Sequence, residues 1–385
     1  MRAVVYRGRN ELQLETLAVP QINPGELLVK VAACGVCPTD IKKIQYGTVA
    51  PPRVFGHETA GVIVRVGARV RGFAVSERVA LHHHVPCLKC YACRHRAFAQ
   101  CEQYKRTGIT AGFEPAGGGY AEYVRVMPFV LPGVVKIPKR NSFLEGAMLE
   151  PVNTVLKAVN RLALLKGDSV LVAGQGPIGL MFTGLLALRG MKVVATDLFE
   201  TRLGLSRDLG AMWVWGVASQ QREGQMTKAK IRKNDEARIK GKASAGNGDK
   251  RGAGKLADLV DRATSGRGLD AAVIAVSSDE VLREAQGLVR GGGQVLLFSH
   301  TKRGDEAKID LATVCVDEKD LIGSYSADFL LQREVARLVF GRRLDVRRLI
   351  THEFPLERTA EAIDLAAHPT SESLKIVVSQ AKADF

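Results

Sequence analysis

The chain has 385 residues, 46% hydrophobic and 25% charged, enough for two globular domains and ordinary for a water-soluble fold. No apolar run approaches the roughly 18 residues of a membrane crossing, and the start MRAVVYRGRNELQLE has no apolar stretch behind a basic end, so neither a spanning helix nor a secretory leader is expected. The net charge is +15, but segment 220–255 alone carries 11 Lys/Arg against 4 Asp/Glu, so the rest of the chain is only mildly basic and the excess is a weak argument for a nucleic-acid partner.

The first 150 residues alternate short β-like runs with Gly and Pro, as in ELLVKVAACG, TAGVIVRVG and ERVALHHHV, and predict a β-rich unit. Within it lies CLKCYACRHRAFAQC. Its cysteines, Cys87, Cys90, Cys93 and Cys101, have the spacing of a closed tetrahedral zinc site that staples a loop lobe; an iron–sulfur cluster is the rival reading. Seven cysteines, an odd and unevenly placed number, argue against a disulfide framework and for a reducing cytosol. Cys34 and Cys315 read as small buried hydrophobes. Three further residues, Cys37 in CGVCPTD, His57 in GHE and Glu150 in LEP, offer a thiolate, an imidazole and a carboxylate. Such a mixed set leaves a fourth position for an exchangeable ligand, as a catalytic zinc requires.

Near Val152 the pattern changes. TVLKAVNRLAL has helical spacing, and SVLVAG-QGPIG-LMFTGLLALRG-MKVVATD then reads strand, glycine turn, helix, strand. Gly174, Gly176 and Gly179 fill G-x-G-x-x-G, with Pro177 and Ile178 opening the helix and Asp197 ending the next strand. In that context the turn predicts a pyrophosphate on a helix N-terminus. Asp197 would hold both ribose hydroxyls and repel a 2′-phosphate, favouring NAD over NADP. Arg202 could lie over the adenine or accept such a phosphate. Segment 220–255, nearly free of apolar residues, reads as a solvated, disordered insertion. Strand and helix signals alternate again from KLADLVDRATSG to the helix ADFLLQREVARLVFGR, and the closing strand SLKIVVS could return to the first domain. His82, His83 and His84 read chiefly as packing residues, and His300 lies where ligands meet a sheet of this kind.

CGVCPTD, GHETAGVIVRVG, the four-cysteine lobe, EPVNTVLKAV and GQGPIG occur in an order that resembles the medium-chain zinc-dependent alcohol dehydrogenases. The Glu-Pro pair makes the sorbitol/polyol and threonine dehydrogenase branch the nearest resemblance, and nearly the whole chain except the insertion is covered. The resemblance implies an α/β protein. Residues 1–153 would be a GroES-like catalytic domain with the lobe at 87–101, 154–340 a doubly wound Rossmann domain interrupted at 220–255, and 341–385 a return to the catalytic domain. It implies two zinc ions, NAD, oxidation of an alcohol or polyol to a carbonyl compound, a cytoplasmic homodimer or homotetramer, and no membrane partner. Cys37, His57 and either Glu58 or Glu150 would hold the catalytic zinc, Thr39 would pass on the substrate proton, and Asp40 would orient a ligand. Pro38, and Lys42 where some members have a relay histidine, depart from the pattern. The family's GDRV reads SERV at 76–79, a change expected to be harmless. The rival functions are a zinc-independent quinone or enoyl reductase, against which both cysteine constellations speak, and nucleic-acid binding through an insertion that has no aromatic residue to stack on bases.

Overall fold

A computed structural model describes residues 1–82, 85–103, 117–217, 255–299, 301 and 304–380. The basic insertion call at 220–255 therefore falls almost wholly outside the described residues, as do His83, His84 and His300. The chain divides into two compact units, Met1–Arg161 with Ser324–Phe385, and Leu162–Gly323.

The strands of the first unit are β1 (Arg2–Gly8), β2 (Glu11–Thr16), β3 (Leu27–Gly35), β4 (Arg53–Val54), β5 (Glu58–Val66), β6 (Arg78–Ala80), β7 (Tyr123–Val126) and β8 (Val135–Lys136). The chain re-enters this unit late and adds two more. With the intervening strands numbered β9 to β14, these are β15 (Ile350–Pro355) and β16 (Lys375–Ser379). One sheet has the order β2-β1-β4; a larger one runs β15-β16-β3-β5-β6-β8, with β7 also on β3. β3, LLVKVAACG, is buried at every position but Lys30, which is what a central strand covered on both faces demands. The C-terminal strand β16 pairs antiparallel with β3, Val377 opposite Gly35 and Val378 opposite Cys34. Residues at the two ends of the sequence thereby become neighbours.

The second unit contains β9 (Ser169–Ala173), β10 (Lys192–Asp197), β11 (Ala211–Gly216), β12 (Leu269–Ile274), β13 (Val289–Leu297) and β14 (Asp320–Gly323). Their order is β11-β10-β9-β12-β13-β14, and every neighbouring pair is parallel. Counted from its first strand the order is 3-2-1-4-5-6, the doubly wound arrangement that binds dinucleotides where the order reverses. β9 (SVLVA) and β12 (LDAAVI) are buried throughout, as expected of strands with helices on both faces.

Two expectations need correction. The compact units meet at 161/162 and 323/324 rather than at 153/154 and 340/341. The cause is local packing: the helices Leu149–Val159 and Gln332–Phe340 lie together. Asn153 Nδ2 donates to Gln332 Oε1 and to the Asp328 carbonyl, each at 3.0 Å, and Asn153 Oδ1 accepts from the Asp328 N–H at 2.8 Å. Second, Cys34 is buried but Cys315 is exposed. Cys315 lies in the six-residue helix Leu311–Val316, which has no buried residue. No helix among the described residues is long and apolar enough to cross a membrane.

Candidate active site

β3 ends at Gly35, and Cys37 takes the N-cap position of the helix Pro38–Tyr46 in extended backbone, φ −111°, ψ 138°. Pro38 stands in the first turn of that helix, where its missing N–H costs nothing, so this departure marks a helix start. Thr39 and Lys42 follow, half-buried, and Asp40 is wholly buried. His57 and Glu58, both buried, lie where β5 begins. One donor atom from each of Cys37, His57 and Glu58 falls within 4.8 Å of the others. His57 Nδ1 is 3.1 Å from Asp40 Oδ2, a contact that fixes the ring and leaves Nε2 as its donor. Burial works against a charged imidazole here, but the charges of Asp40 and Cys37 outweigh it and raise its proton affinity well above the ordinary histidine range. Three unlike, convergent donors, His57 and Glu58 buried and Cys37 half-buried, with the His57 ring braced by a carboxylate, fit a zinc ion with one position left open.

Glu150 is not part of this trio. It sits in the first turn of the helix Leu149–Val159, 5% exposed. Burial first, then the charges of Glu58 and Asp40, push its carboxyl up to about 7 against the opposing pull of His57 and Lys375. Lys375, which sequence reasoning passed over, is buried in the same place. Its Nζ donates to Glu58 Oε1 at 2.6 Å and to the Val36 carbonyl at 2.9 Å, and also contacts Glu58 Oε2. Gly35 makes room for this pair: a Cβ there would stand 1.8 Å from Glu58 Oε2 and 3.0 Å from Lys375 Cε. The one local signal was a lysine inside the otherwise apolar run LKIVVS. Tyr325, also unforeseen, titrates in the field of the same groups: its phenol is pushed up by burial and then by the charges of Cys37, Glu150 and Asp40, with His57 opposing.

The four lobe cysteines each bring a sulfur within 4.8 Å of the other three, none in a disulfide. A tetrahedral ion with Zn–S bonds near 2.3 Å sets its sulfurs roughly 3.8 Å apart. Cys87 and Cys93 are at 3.9 Å and Cys90 and Cys93 at 3.4 Å. The Cys90 N–H donates to Cys87 Sγ and the Cys87 N–H to Cys101 Sγ, which supports anionic sulfur. The N–H groups of Lys89 and Cys90 pull the Cys87 thiol down to about 6. This spacing suits one ion rather than a cluster of irons.

In the second unit Gly174 has φ +91°, a left-handed conformation that favours glycine. A Cβ on Gly179 would meet the Gly174 carbonyl at 1.7 Å, whereas Gly176 faces open space. Helix and strand thus close on two glycines and leave the third bare for a ligand's approach. The helix Pro177–Leu188 starts there, with Pro177 and Ile178 leading. Asp197, ending β10, accepts from the Gln175 N–H at 2.6 Å and from the Phe199 N–H at 2.9 Å. Gln175, an unspecified position of the motif, proves structural: it donates to the Val172 carbonyl and accepts from Thr183 Oγ1, both at 2.9 Å, tying strand to helix. Arg202 is 9% exposed, with its guanidinium over the Phe199 ring at 4.7 Å. His82 is fully buried in the first unit.

Comparison with known proteins agrees with both halves. Residues 23–139 match the alcohol dehydrogenase GroES-like domain, and 177–340 match the zinc-binding dehydrogenase family. A sorbitol dehydrogenase of Bacillus subtilis (strain 168) is 27% identical over 98% of this chain and 97% of its own. An L-idonate 5-dehydrogenase of Vitis vinifera is 27% identical over 94% and 90%. Among solved structures, alcohol dehydrogenase TADH from Thermus sp. ATN1 superposes with a TM-score of 0.79 at 24% identity, covering 99% of this chain and 100% of its own. With its G-x-G-x-x-G turn, its four-cysteine lobe and these matches along both units, the chain belongs to the medium-chain zinc-dependent alcohol dehydrogenases.

Proposed function

We propose that the protein is an NAD-dependent dehydrogenase that oxidises a polyol or another secondary alcohol to the carbonyl compound. The observation that carries this is the convergence of Cys37, His57 and Glu58 within 4.8 Å, in a chain that also carries a dinucleotide turn. The sorbitol and idonate dehydrogenases that resemble it along nearly their whole length support the substrate class. A zinc ion at the trio would supply Lewis acidity to the substrate hydroxyl, and the nicotinamide would accept the hydride. Asp40 holds the His57 ring, and Lys375 holds the Glu58 carboxylate. Thr39, assigned by resemblance, passes the hydroxyl proton toward solvent. Glu150 is a buried acid poised near neutrality beside them, suited to hold or release a proton. The open face of Gly176 and the free N–H groups of the helix Pro177–Leu188 suit the pyrophosphate.

The preference for NAD rests on Asp197. Its two oxygens each take one backbone N–H, and the lone pairs that remain suit ribose hydroxyls while their charge repels a phosphate. The four sulfurs of the lobe support a second, structural zinc. Seven free cysteines suit a cytoplasmic location, and a dimer or tetramer is the state we expect from the family. The test is a panel of polyols, simple alcohols and 3-hydroxy amino acids with NAD or NADP, following reduced cofactor in zinc-replete protein. Turnover is expected with polyols and NAD; none with any pair would defeat the reading.

A further inference from the structure

We infer that the four-cysteine lobe has a second function, the binding of unpaired nucleic acid, with Tyr91 as the stacking platform and Lys89, Arg94 and Arg96 as phosphate contacts. Charge is the first observation. Residues 87–101 hold these three cations and His95 but no Asp or Glu. All three cations are exposed, and none is paired with a carboxylate among the described residues. Four thiolates around a divalent ion would bring two negative charges, fewer than the three positive ones. Cys93 and Cys101 are also buried, whereas the cations are not.

The second observation is an uncovered aromatic ring among those charges. Tyr91 is 73% exposed, and its ring centroid lies 4.4 Å from that of His95 at an interplanar angle of 47°. The contact steadies the phenol and leaves most of it open. Leu88, also exposed, adds apolar surface beside it. The backbone is set before any ligand arrives. Tyr91–Arg94 forms one helical turn, in which the Arg94 N–H donates to the Cys90 carbonyl at 3.1 Å, and the Arg96 N–H donates to the Cys93 carbonyl at 3.0 Å. Leu88 and Arg96 flank that turn in left-handed backbone, φ +62° and +56°. A turn built only to gather cysteines would form more easily with glycine there. Cations on a fixed loop track a phosphate backbone, and an open ring stacks on bases that a duplex would keep paired inside. Segment 220–255 has the charge but no aromatic residue, whereas the lobe has both. A duplex or an anionic lipid surface would use the charge alone and leave the exposed ring without a partner.

The experiment measures the anisotropy of a labelled twenty-nucleotide oligo(dT), and of a duplex of the same length, against full-length zinc-replete protein and its variants. The single strand should bind more tightly than the duplex. Y91A should weaken that binding about fivefold or more, the low end for the loss of one base stack. Y91F keeps the ring and should match the wild type. K89Q/R94Q/R96Q should flatten the slope of log affinity against log salt by about two, at roughly 0.7 for each phosphate contact of a single strand. Melting curves check that each variant is folded, and if the triple variant is not, R94Q alone should flatten the slope by about 0.7. No binding of the oligo(dT), equal or tighter binding of the duplex, unchanged affinity in Y91A, or a loss in Y91F equal to that in Y91A overturns the inference. So does binding that disappears when a ten-residue Gly/Ser link replaces residues 221–252, which would move the site to the insertion. A fall in native mass in Y91A would show that a second copy of the chain covers the lobe, and would overturn it as well.

Discussion

Glu58 and Glu150 are both buried carboxylates near one donor set, and their surroundings give them different work. Glu58 meets Lys375 and stays with the trio, while Glu150 stands outside it and is pushed up to about 7. An acid whose folded pKa is raised binds protons more readily in the native state than in the unfolded chain. Its contribution to stability is therefore present below the ordinary glutamate pKa and is lost as pH rises through about 7. In chelator-treated protein, the wild type should lose melting temperature relative to E150Q between pH 5 and 8. Equal slopes would show that Glu150 is not so perturbed. E150Q should also keep the Cys37-dependent zinc while turnover falls. Ser76 gives a second residue-scale outcome. It was expected to be a harmless change from glycine, yet it has φ +71° on an exposed turn. A left-handed serine is strained, and glycine's greater freedom in the unfolded chain offsets only part of that strain. Ser76→Gly should stabilise by about 0.5–1 kcal/mol in denaturant unfolding.

At the scale of elements, the two cysteine sets separate stability from chemistry. The lobe closes four sulfurs on one another with Phe98 and Phe129 packed alongside, and Phe98 meets Phe329 edge-on at 5.8 Å between centroids. An ion bound there contributes to folding and offers no open position. Cys93→Ser should therefore lower the melting temperature or the yield while surviving molecules keep their activity. Cys37→Ser should leave the melting curve nearly intact and cut kcat/KM by about 10³-fold or more, since the trio supplies several kcal/mol to the transition state. The reverse pattern would exchange the two assignments. The lobe and the glycine turn were legible in the sequence because their chemistry lies within about fifteen residues of itself. The choice between Glu58 and Glu150 was not, because either carboxylate suits the donor set and only packing separates them. Lys375 was invisible for a topological reason: it reaches Glu58 through the pairing of β16 with β3. Cys315 misled because LATVCV is apolar by composition, while the helix it forms lies exposed.

For the whole molecule, the question is what the net charge of +15 does. Segment 220–255 contributes +7 of it and joins β11, at one edge of the parallel sheet, to the helix Leu256–Thr264 that leads into β12. From β11 to β12 the chain steps past β10 and β9, three strand spacings or about 14 Å. About ten residues of extended chain reach about 33 Å, more than twice that span. The crossover thus needs only a fraction of the connection present, and nothing identified in either donor set or in the glycine turn draws on it. Replacing residues 221–252 with a ten-residue Gly/Ser link should leave kcat/KM for the preferred polyol within about twofold, because the sheet order and the trio are built without the segment. The same deletion removes most of the local positive charge, so retention on a heparin column should fall. Its salt dependence should flatten in proportion to the cations removed. A large loss of turnover would place the segment in the catalytic cycle, and unchanged retention would locate the positive surface on the body of the protein instead.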